Sequence, residues 1–182
     1  MDNRALNAFM VSPHITGREI MCPCCGVIKM SNLLLQRVEV VREWANATTK
    51  LKYGGYDREI GIGIGSGYRC PKHNQEIGGY INSYHTQGLA IDWKLILLTR
   101  PLDIWETENH NPTFKDLGLE FDAFYSLIGK TFNQIGLYIL DNNRYFVHTD
   151  IGLQNRVFAS LNGESHPVEV LIKKGKELGI FN

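Results

Sequence analysis

Two histidines and one aspartate offer the clearest chemistry in this sequence. His85 precedes Asp92 by seven residues, and Asp92 lies within the apolar run LAIDWKLIL. His148 comes much later, in the alternating run YFVHTDI. Imidazole nitrogens and a carboxylate oxygen are common zinc ligands, and a site with three protein ligands keeps a fourth position for water. The residue types therefore predict a zinc site that could activate water for hydrolysis.

The surroundings of Asp92 strengthen this hypothesis. An unpaired carboxylate within a buried apolar strand is costly, and a bound cation would offset that cost. The spacing by itself is weak evidence, because the fold must bring His148 to the other two residues.

The elements that would position these residues follow from hydrophobic periodicity and turn residues. Together they predict an α+β fold, in which helices flank a small antiparallel sheet of four or five strands. Helices are predicted at about 32–48, 71–78, 119–132 and 167–178. Strands are predicted at 59–65, 90–98, 136–140 and 145–151, the last two joined by a turn at 141–143.

We interpret the chain, 1–182, as one domain, because it shows no internal repeat and no low-complexity linker. An irregular N-terminal arm, 1–30, carries a cysteine cluster, and the segment 100–118, rich in Pro, Asn and charge, is interpreted as an insertion loop. The formal net charge of zero argues against a nucleic-acid partner held by bulk charge. No apolar run reaches the roughly 20 residues that insertion across a membrane needs. The oligomeric state is left open.

The four cysteines have three alternative interpretations. Cys22, Cys24 and Cys25 lie in MCPCCG, where Cys22 and Cys25 have the C-x2-C spacing of half a zinc site. Cys70 could complete a structural zinc site, or form a disulfide with one of the three in an oxidising compartment. All four could instead be free thiols packed in the core. The remaining histidines have no matching partners and are interpreted as surface or capping residues: His14, His73, His110 and His166.

The stretch from Ser66 to Trp93 has the pattern SGYRCPxHNxxxGGxxxSxHxxGxAxDW, and FVHTD follows much later. This pattern resembles the zinc D-alanyl-D-alanine carboxypeptidase family. That family includes phage L-alanyl-D-glutamate endopeptidases and is distantly related to the hedgehog signalling domain. The resemblance covers most of the chain, and it implies Zn²⁺ as the cofactor, bound by His85, Asp92 and His148.

The resemblance also implies roles for other residues. Arg69 would point into the site, bind the substrate carbonyl and stabilise the developing oxyanion. Ser83 would touch the substrate or the metal shell, or it caps the turn before His85. Apart from the resemblance, Tyr84 is one of several aromatic residues clustered around the motif, which either line the peptide groove or pack against the core. Some relatives place an acid three residues before the last histidine, but that position is Tyr145 here. Asp150 is then the candidate for the catalytic carboxylate, or it supports a ligand imidazole through its other nitrogen.

The activity that the resemblance implies is hydrolysis of peptide bonds in peptidoglycan stem peptides, by a carboxypeptidase or an endopeptidase. The start MDNRALNAFMVSPH has no apolar segment typical of a secretory signal. This fits a phage-type lysin that is made in the cytoplasm and acts on the cell wall after release or on a virion. The alternative, from a different class, is a catalytically inactive cell-wall-binding or virion structural module that keeps the zinc fold.

Overall fold

One eight-stranded sheet dominates the part of the chain that the computed structural model describes, residues 9–100 and 106–182. Its strand order is β10-β9-β7-β8-β5-β4-β3, with β6 paired to β5, while β1 and β2 form a separate hairpin. The strands are Met10–Ser12 (β1), Ile15–Thr16 (β2), Lys52–Tyr53 (β3), Tyr56–Ser66 (β4), Ala90–Thr99 (β5), Glu106–Asn109 (β6), Gln134–Leu140 (β7), Arg144–Asp150 (β8), Arg156–Leu161 (β9) and Glu164–His166 (β10).

Helices complete the architecture. The α-helices are Gly17–Ile20 (α1), Asn32–Thr48 (α2), Pro71–Glu76 (α3), Phe121–Thr131 (α4) and Val168–Glu177 (α5), and short 3-10 turns span Tyr84–Gln87 and Asp141–Asn143. Among the helices in the described ranges, none combines the length and the apolar composition of a membrane span.

The sheet divides its side chains between a core face and an open face. In β5, Ile91, Trp93 and Leu95 are buried in the core, whereas Asp92 and Lys94 point the other way because side chains alternate along a strand. The helices α2, α4 and α5 bury apolar residues in the same core, among them Leu34, Val38, Phe121, Phe124 and Leu171. Polar side chains of neighbouring strands can therefore meet on the open face.

The α+β prediction and most predicted elements are confirmed. The helix predicted at 32–48 is α2, whose apolar residues recur at three- and four-residue intervals and face the core. The turn predicted at 141–143 joins β7 to β8, and Asn142 and Asn143 adopt positive φ angles of 63° and 58°. Asparagine tolerates this left-handed conformation better than most residues.

The predicted strand number and the predicted loop need correction. The sheet has eight strands rather than four or five, and β7 and β9 pair in parallel. Within 100–118, β6 pairs with β5, and Phe114 and Leu117 are fully buried; residues 101–105 lie outside the described ranges. The strand ETEN has no apolar alternation to reveal it, because it is held by backbone hydrogen bonds to β5 rather than by side-chain burial.

The N-terminal arm is more regular than predicted; its residues 1–8 lie outside the described ranges. The β1–β2 hairpin leads into α1, whose Ile20 is fully buried. The carbonyl oxygen of Ile20 accepts a hydrogen bond from the Tyr68 amide at 3.0 Å. Gly67 comes so close that a Cβ there would lie 2.6 Å from the Cα of Ile20. The arm therefore packs directly on the SGYR loop that leads to the site.

Glu39 of α2 joins the hairpin to the helix. Its carboxylate accepts hydrogen bonds from Ser12 Oγ at 2.6 Å and from the His14 amide at 2.9 Å, and it also contacts His14 Nδ1 at 2.9 Å. Burial alone would raise the pKa of Glu39, but these hydrogen bonds lower it below its usual value. The fold therefore stabilises the charged form of this carboxyl group.

Candidate metal centre

The two histidines and the aspartate meet on the open face of the sheet. Asp92 of β5 lies directly opposite His148 of β8. His85 comes from the 3-10 turn Tyr84–Gln87, which ends at Gly88 with a φ of 74°. Glycine adopts this left-handed conformation without steric cost. The turn can therefore be tight enough to bring His85 close to Asp92.

The ligand atoms of these three residues all lie within 4.8 Å of one another. Asp92 Oδ1 is 2.8 Å from His148 Nδ1 and 3.3 Å from His85 Nε2, and the two ring nitrogens are 3.3 Å apart. Two imidazoles and one carboxylate are the type and number of donors that catalytic zinc sites use. The residues present therefore fit a zinc ion.

The other nitrogen of each imidazole has its own partner. His85 Nδ1 lies 2.7 Å from the carbonyl oxygen of Gly67 and donates to it, which leaves Nε2 free to bind a metal. His148 Nε2 lies 3.3 Å from Asp150 Oδ2, which leaves Nδ1 as the metal-facing atom. Asp150 is fully buried, and its Oδ1 accepts from the Gly152 amide at 2.9 Å. Partners of this kind orient ligand histidines in metal sites.

Arg69 lies beside the three candidate ligands. Its guanidinium forms a hydrogen-bonded ion pair with Asp92 Oδ2, and its Nε donates to Ser66 Oγ at 2.8 Å. The Arg69 amide donates to the carbonyl oxygen of His85 at 3.2 Å. These contacts fix the guanidinium next to the three candidate ligands.

Ser83 and Tyr84 make contacts within the fold. Ser83 Oγ accepts from the His85 amide at 3.3 Å, at the beginning of the 3-10 turn. The Tyr84 hydroxyl accepts from the Leu153 amide at 3.1 Å, and its ring occupies the space where a side chain on Gly152 would lie. The contacts hold the turn of His85 against the segment after β8. A role in substrate binding stays a prediction for both residues.

The electrostatics of the cluster favour a cation. Burial alone would raise the pKa of Asp92, but hydrogen bonds from His148 and His85, with their charges, hold it well below its usual range. Burial alone would lower the pKa of His148, but Asp150 and Asp92 raise it to about 9. The two carboxylates therefore favour positive charge at His148, whether a proton or a metal supplies it.

A groove of about 620 Å³ includes Asp92 and extends along the open face of β4, β5 and β8. Lys94 and Arg144 lie in its wall. Burial and the nearby charge of Arg144 lower the pKa of Lys94, whose Nζ bonds Asn111 Oδ1 at 3.0 Å. Sequence reasoning missed both cations, because their proximity depends on how two distant strands pair. The sequence alone could have placed Lys94 on the same face as Asp92, because the two residues are two positions apart on one predicted strand.

Tyr145, which occupies the position of an acid in some relatives, has its ring in the core. Its side chain is nearly buried, with its ring centroid 5.7 Å from that of Phe114. Residues 145 and 148 lie three apart on a strand and so face opposite sides of the sheet. Among the described residues that line the groove, Glu19 is the one carboxylate besides Asp92.

A family model described as Peptidase M15 matches residues 13–120, a range that includes Arg69, His85 and Asp92 but not His148 or Asp150. No curated protein and no solved structure gives a significant match. M15 proteins are metallopeptidases that in general depend on zinc, in agreement with the donor set described above. Because the match covers more than half of the 182 residues, the chain belongs to the peptidase M15 family.

Proposed function

We propose that this protein is a zinc-dependent peptidase that cuts peptide bonds in peptidoglycan stem peptides. The observation that carries the proposal is the convergence of His85 Nε2, Asp92 Oδ1 and His148 Nδ1 beside a groove. Membership of the M15 family supports a zinc peptidase acting on peptidoglycan.

The residues around the site suggest how they would act. When bound, zinc would polarise the substrate carbonyl and make water a stronger nucleophile. His85, Asp92 and His148 would hold the ion, each imidazole fixed through its outer nitrogen. Arg69 would donate an N–H to the carbonyl oxygen as that oxygen gains negative charge. Its ion pair with Asp92 keeps the guanidinium close enough for this role.

The attacking water must give its proton to a base. Asp150 is one candidate, but its oxygens already contact His148 and Gly152, and it is fully buried. Glu19 lies in the groove wall, and both hydrogen bonds that it accepts from Thr16 use Oε2. We propose that Asp150 positions His148 and that Glu19, an exposed carboxylate in the groove wall, accepts the proton.

The cations in the groove favour a substrate with a carboxylate near the cut bond. A strand advances about 3.3 Å per residue, so Lys94 follows Asp92 by about 7 Å along β5. Within residues 9–100 and 106–182, neither Lys94 nor Arg144 forms an ion pair with a carboxylate. The carboxylate of a terminal D-alanine would form an ion pair with one of these two cations. We therefore propose a carboxypeptidase in preference to an endopeptidase.

The alternative is an inactive wall-binding or virion module. Tyr145 favours it, because this position lacks the acid that some relatives carry and the side chain is in the core. Under either proposal the target is the cell wall, so the protein would act there after release from the cell or as part of a virion.

Digestion of purified peptidoglycan tests the peptidase proposal. Zinc-loaded and chelator-treated protein would be incubated with walls of several chemotypes, and the products identified by mass spectrometry. We expect zinc-dependent release of D-alanine, lost in His148→Ala and kept in His166→Ala, a control on β10 away from the groove. If the loaded protein binds walls but releases nothing, the peptidase proposal is wrong and the binding module is supported.

A further inference from the structure

A second group of candidate metal ligands lies outside the His–Asp–His site. The sulfur atoms of Cys22, Cys25 and Cys70 all lie within 4.8 Å of one another. All three are free thiols. Cys22 and Cys25 belong to the arm, whereas Cys70 directly follows Arg69 in the SGYR loop. Two segments that are far apart in sequence therefore direct their thiols to one point.

The arm cysteines lie in a tight turn around the Cys22 sulfur. The carbonyl oxygen of Cys22 accepts from the Gly26 amide at 2.9 Å, and Gly26 has a left-handed φ of 70° that favours glycine. The backbone amides of Cys24 and Cys25 hydrogen-bond to Cys22 Sγ. The amide of Cys70 donates to the same sulfur at 3.3 Å. Amide groups thus surround this sulfur from both segments.

Amide donors favour the thiolate, which is the form of cysteine that binds metals. Cys22 is buried, and its sulfur has three such donors, the amides of Cys24, Cys25 and Cys70. Cys70 Sγ also accepts an amide hydrogen bond, from His73 in the first turn of α3 at 3.4 Å. Backbone amides therefore donate to at least two of the three sulfurs.

We propose that Cys22, Cys25 and Cys70 bind a structural zinc ion, with His73 as the fourth ligand. The C-x2-C spacing of the first pair and the C-x2-H spacing of Cys70 and His73 together give a Cys3His set, a common structural zinc site. His73 is half-buried and lies in the helical turn that begins at Cys70. Cys24 is not part of the proposed ligand set: its side chain is exposed, and its backbone amide donates a hydrogen bond to the Cys22 sulfur.

Neither alternative accounts for the cluster as well. A disulfide would use two of the three sulfurs and leave a third thiol beside it. Packing of free thiols in the core does not explain Cys25, which is exposed. A tetrahedral zinc ion uses all three sulfurs and needs the thiolate charge that the amide groups stabilise.

The proposed ion would fix the arm to the loop that carries Arg69. That loop already contacts the arm through the hydrogen bond from Tyr68 to Ile20. Free energy of binding at a structural zinc site contributes directly to folding. Loss of this ion would therefore destabilise the protein and loosen Arg69, without removing any ligand of the His–Asp–His site.

Metal content of the full-length chain tests the proposal. We expect two zinc ions per wild-type chain, and one each in Cys25→Ser, Cys70→Ser and Asp92→Asn. Cys24→Ser, the matched control, keeps two. After exchange with Co²⁺, the wild type and Asp92→Asn show intense sulfur-to-cobalt charge-transfer absorption, which is much weaker in Cys25→Ser. His73→Ala loses its second ion to a chelator faster than the wild type does.

Several results would overturn the proposal. One is a single zinc per wild-type chain with no charge-transfer absorption; another is two free thiols, rather than four, in chelated, denatured and unreduced protein. If Cys24→Ser loses the ion while His73→Ala keeps it, the assignment of His73 is wrong. If Cys70→Ser does not fold, the cobalt spectra of the wild type and Asp92→Asn still show whether the cysteine sulfurs bind the metal. Because this absorption does not depend on activity, failure of the peptidase proposal would leave the result intact.

Discussion

Asp150→Asn separates the two roles that Asp150 could have in the site. The substitution preserves the size of a fully buried side chain and removes its negative charge. The carboxylate uses separate oxygens for the Gly152 amide and for His148 Nε2. A carboxamide has one acceptor oxygen, so at least one of these contacts is weakened or lost.

The expected cost follows from these contacts. A hydrogen bond to a charged group contributes about 1.5–3 kcal/mol. Loss of a residue that orients a metal ligand typically lowers metal affinity by about 10- to 100-fold. Asp150 and Asp92 together raise the pKa of His148 to about 9, so in the wild type a proton competes with zinc near neutral pH. Asparagine at position 150 relieves part of that competition, and we therefore expect the loss of affinity to be larger near pH 9 than near pH 7.

Zinc affinity and turnover distinguish the roles. Affinity would be measured by competition with a chromophoric chelator, and kcat at saturating zinc. If Asp150 positions His148, affinity falls while kcat of the loaded enzyme changes far less. Asp57→Asn, an exposed change on β4, leaves both unchanged. Unchanged affinity with kcat lower by about 10²- to 10⁴-fold would refute the positioning role and identify Asp150 as the general base.

Three further substitutions test the groove and the arm. Lys94→Gln raises KM about 10-fold for a peptide with a free terminal carboxylate, as loss of one charge-assisted hydrogen bond implies, and leaves KM for the amidated peptide unchanged. Glu39→Gln lowers the free energy of unfolding in urea by about 1–3 kcal/mol at pH 7. Because the fold lowers the pKa of Glu39, this difference is complete above its usual value of 4.5 and disappears as the pH falls through the folded value. Gly67→Ala costs about 1–3 kcal/mol, because its Cβ would lie 2.6 Å from the Ile20 backbone, while Gly65→Ala, whose nearest contact is 3.7 Å, costs less.

A specific result would contradict each of the predictions for Lys94, Glu39 and Gly67. Equal KM changes for the free and amidated peptides would show that Lys94 does not bind a carboxylate. A Glu39→Gln deficit that stays constant between pH 7 and pH 3 would show that the charge of Glu39 is not what stabilises the hairpin. Equal costs at Gly67 and Gly65 would show that the arm can move away from the loop.

Local patterns predicted the elements that hold much of the site. The helix α2 followed from apolar spacing, and the passage from His85 to Asp92 lies within one continuous motif. His148 could be assigned to a strand but not to a neighbour, because pairing between β5 and β8 joins residues that are 56 positions apart. Resemblance to a family, rather than periodicity, linked this third candidate ligand to the other two.

Features that depend on pairing between distant segments were missed. The strand β9, RVFASL, pairs in parallel with β7, and nothing in its short run specifies that partner. Nothing in the sequence around Lys94 or Arg144 shows that the two cations lie in the wall of one groove, because this depends on the positions of β5 and β8 in the sheet. The amide of Cys70 donates to Cys22 Sγ across 48 positions of sequence, a contact that no local pattern specifies. Sequence periodicity specifies faces and elements, whereas these relations arise from tertiary contacts.

The alternation of β8 leads to a last prediction about the base. Phe146, His148 and Asp150 share the open face, so no residue three positions before His148 can reach the site from a regular strand. A proton acceptor other than Asp150 must then come from another segment, and Glu19 of α1 is the other carboxylate in the described wall of the groove. We expect Glu19→Gln to lower kcat by about 10²-fold or more at unchanged zinc affinity. The change also weakens the hydrogen bonds to Thr16, so the free energy of unfolding must be measured in parallel, with Thr16→Val as the control that removes the hydroxyl partner alone. Equal kcat in Glu19→Gln and wild type would exclude Glu19. A large loss in Glu19→Gln with little in Thr16→Val would mean that the arm supplies a catalytic group, which would give the cysteine cluster a function in catalysis as well as in stability.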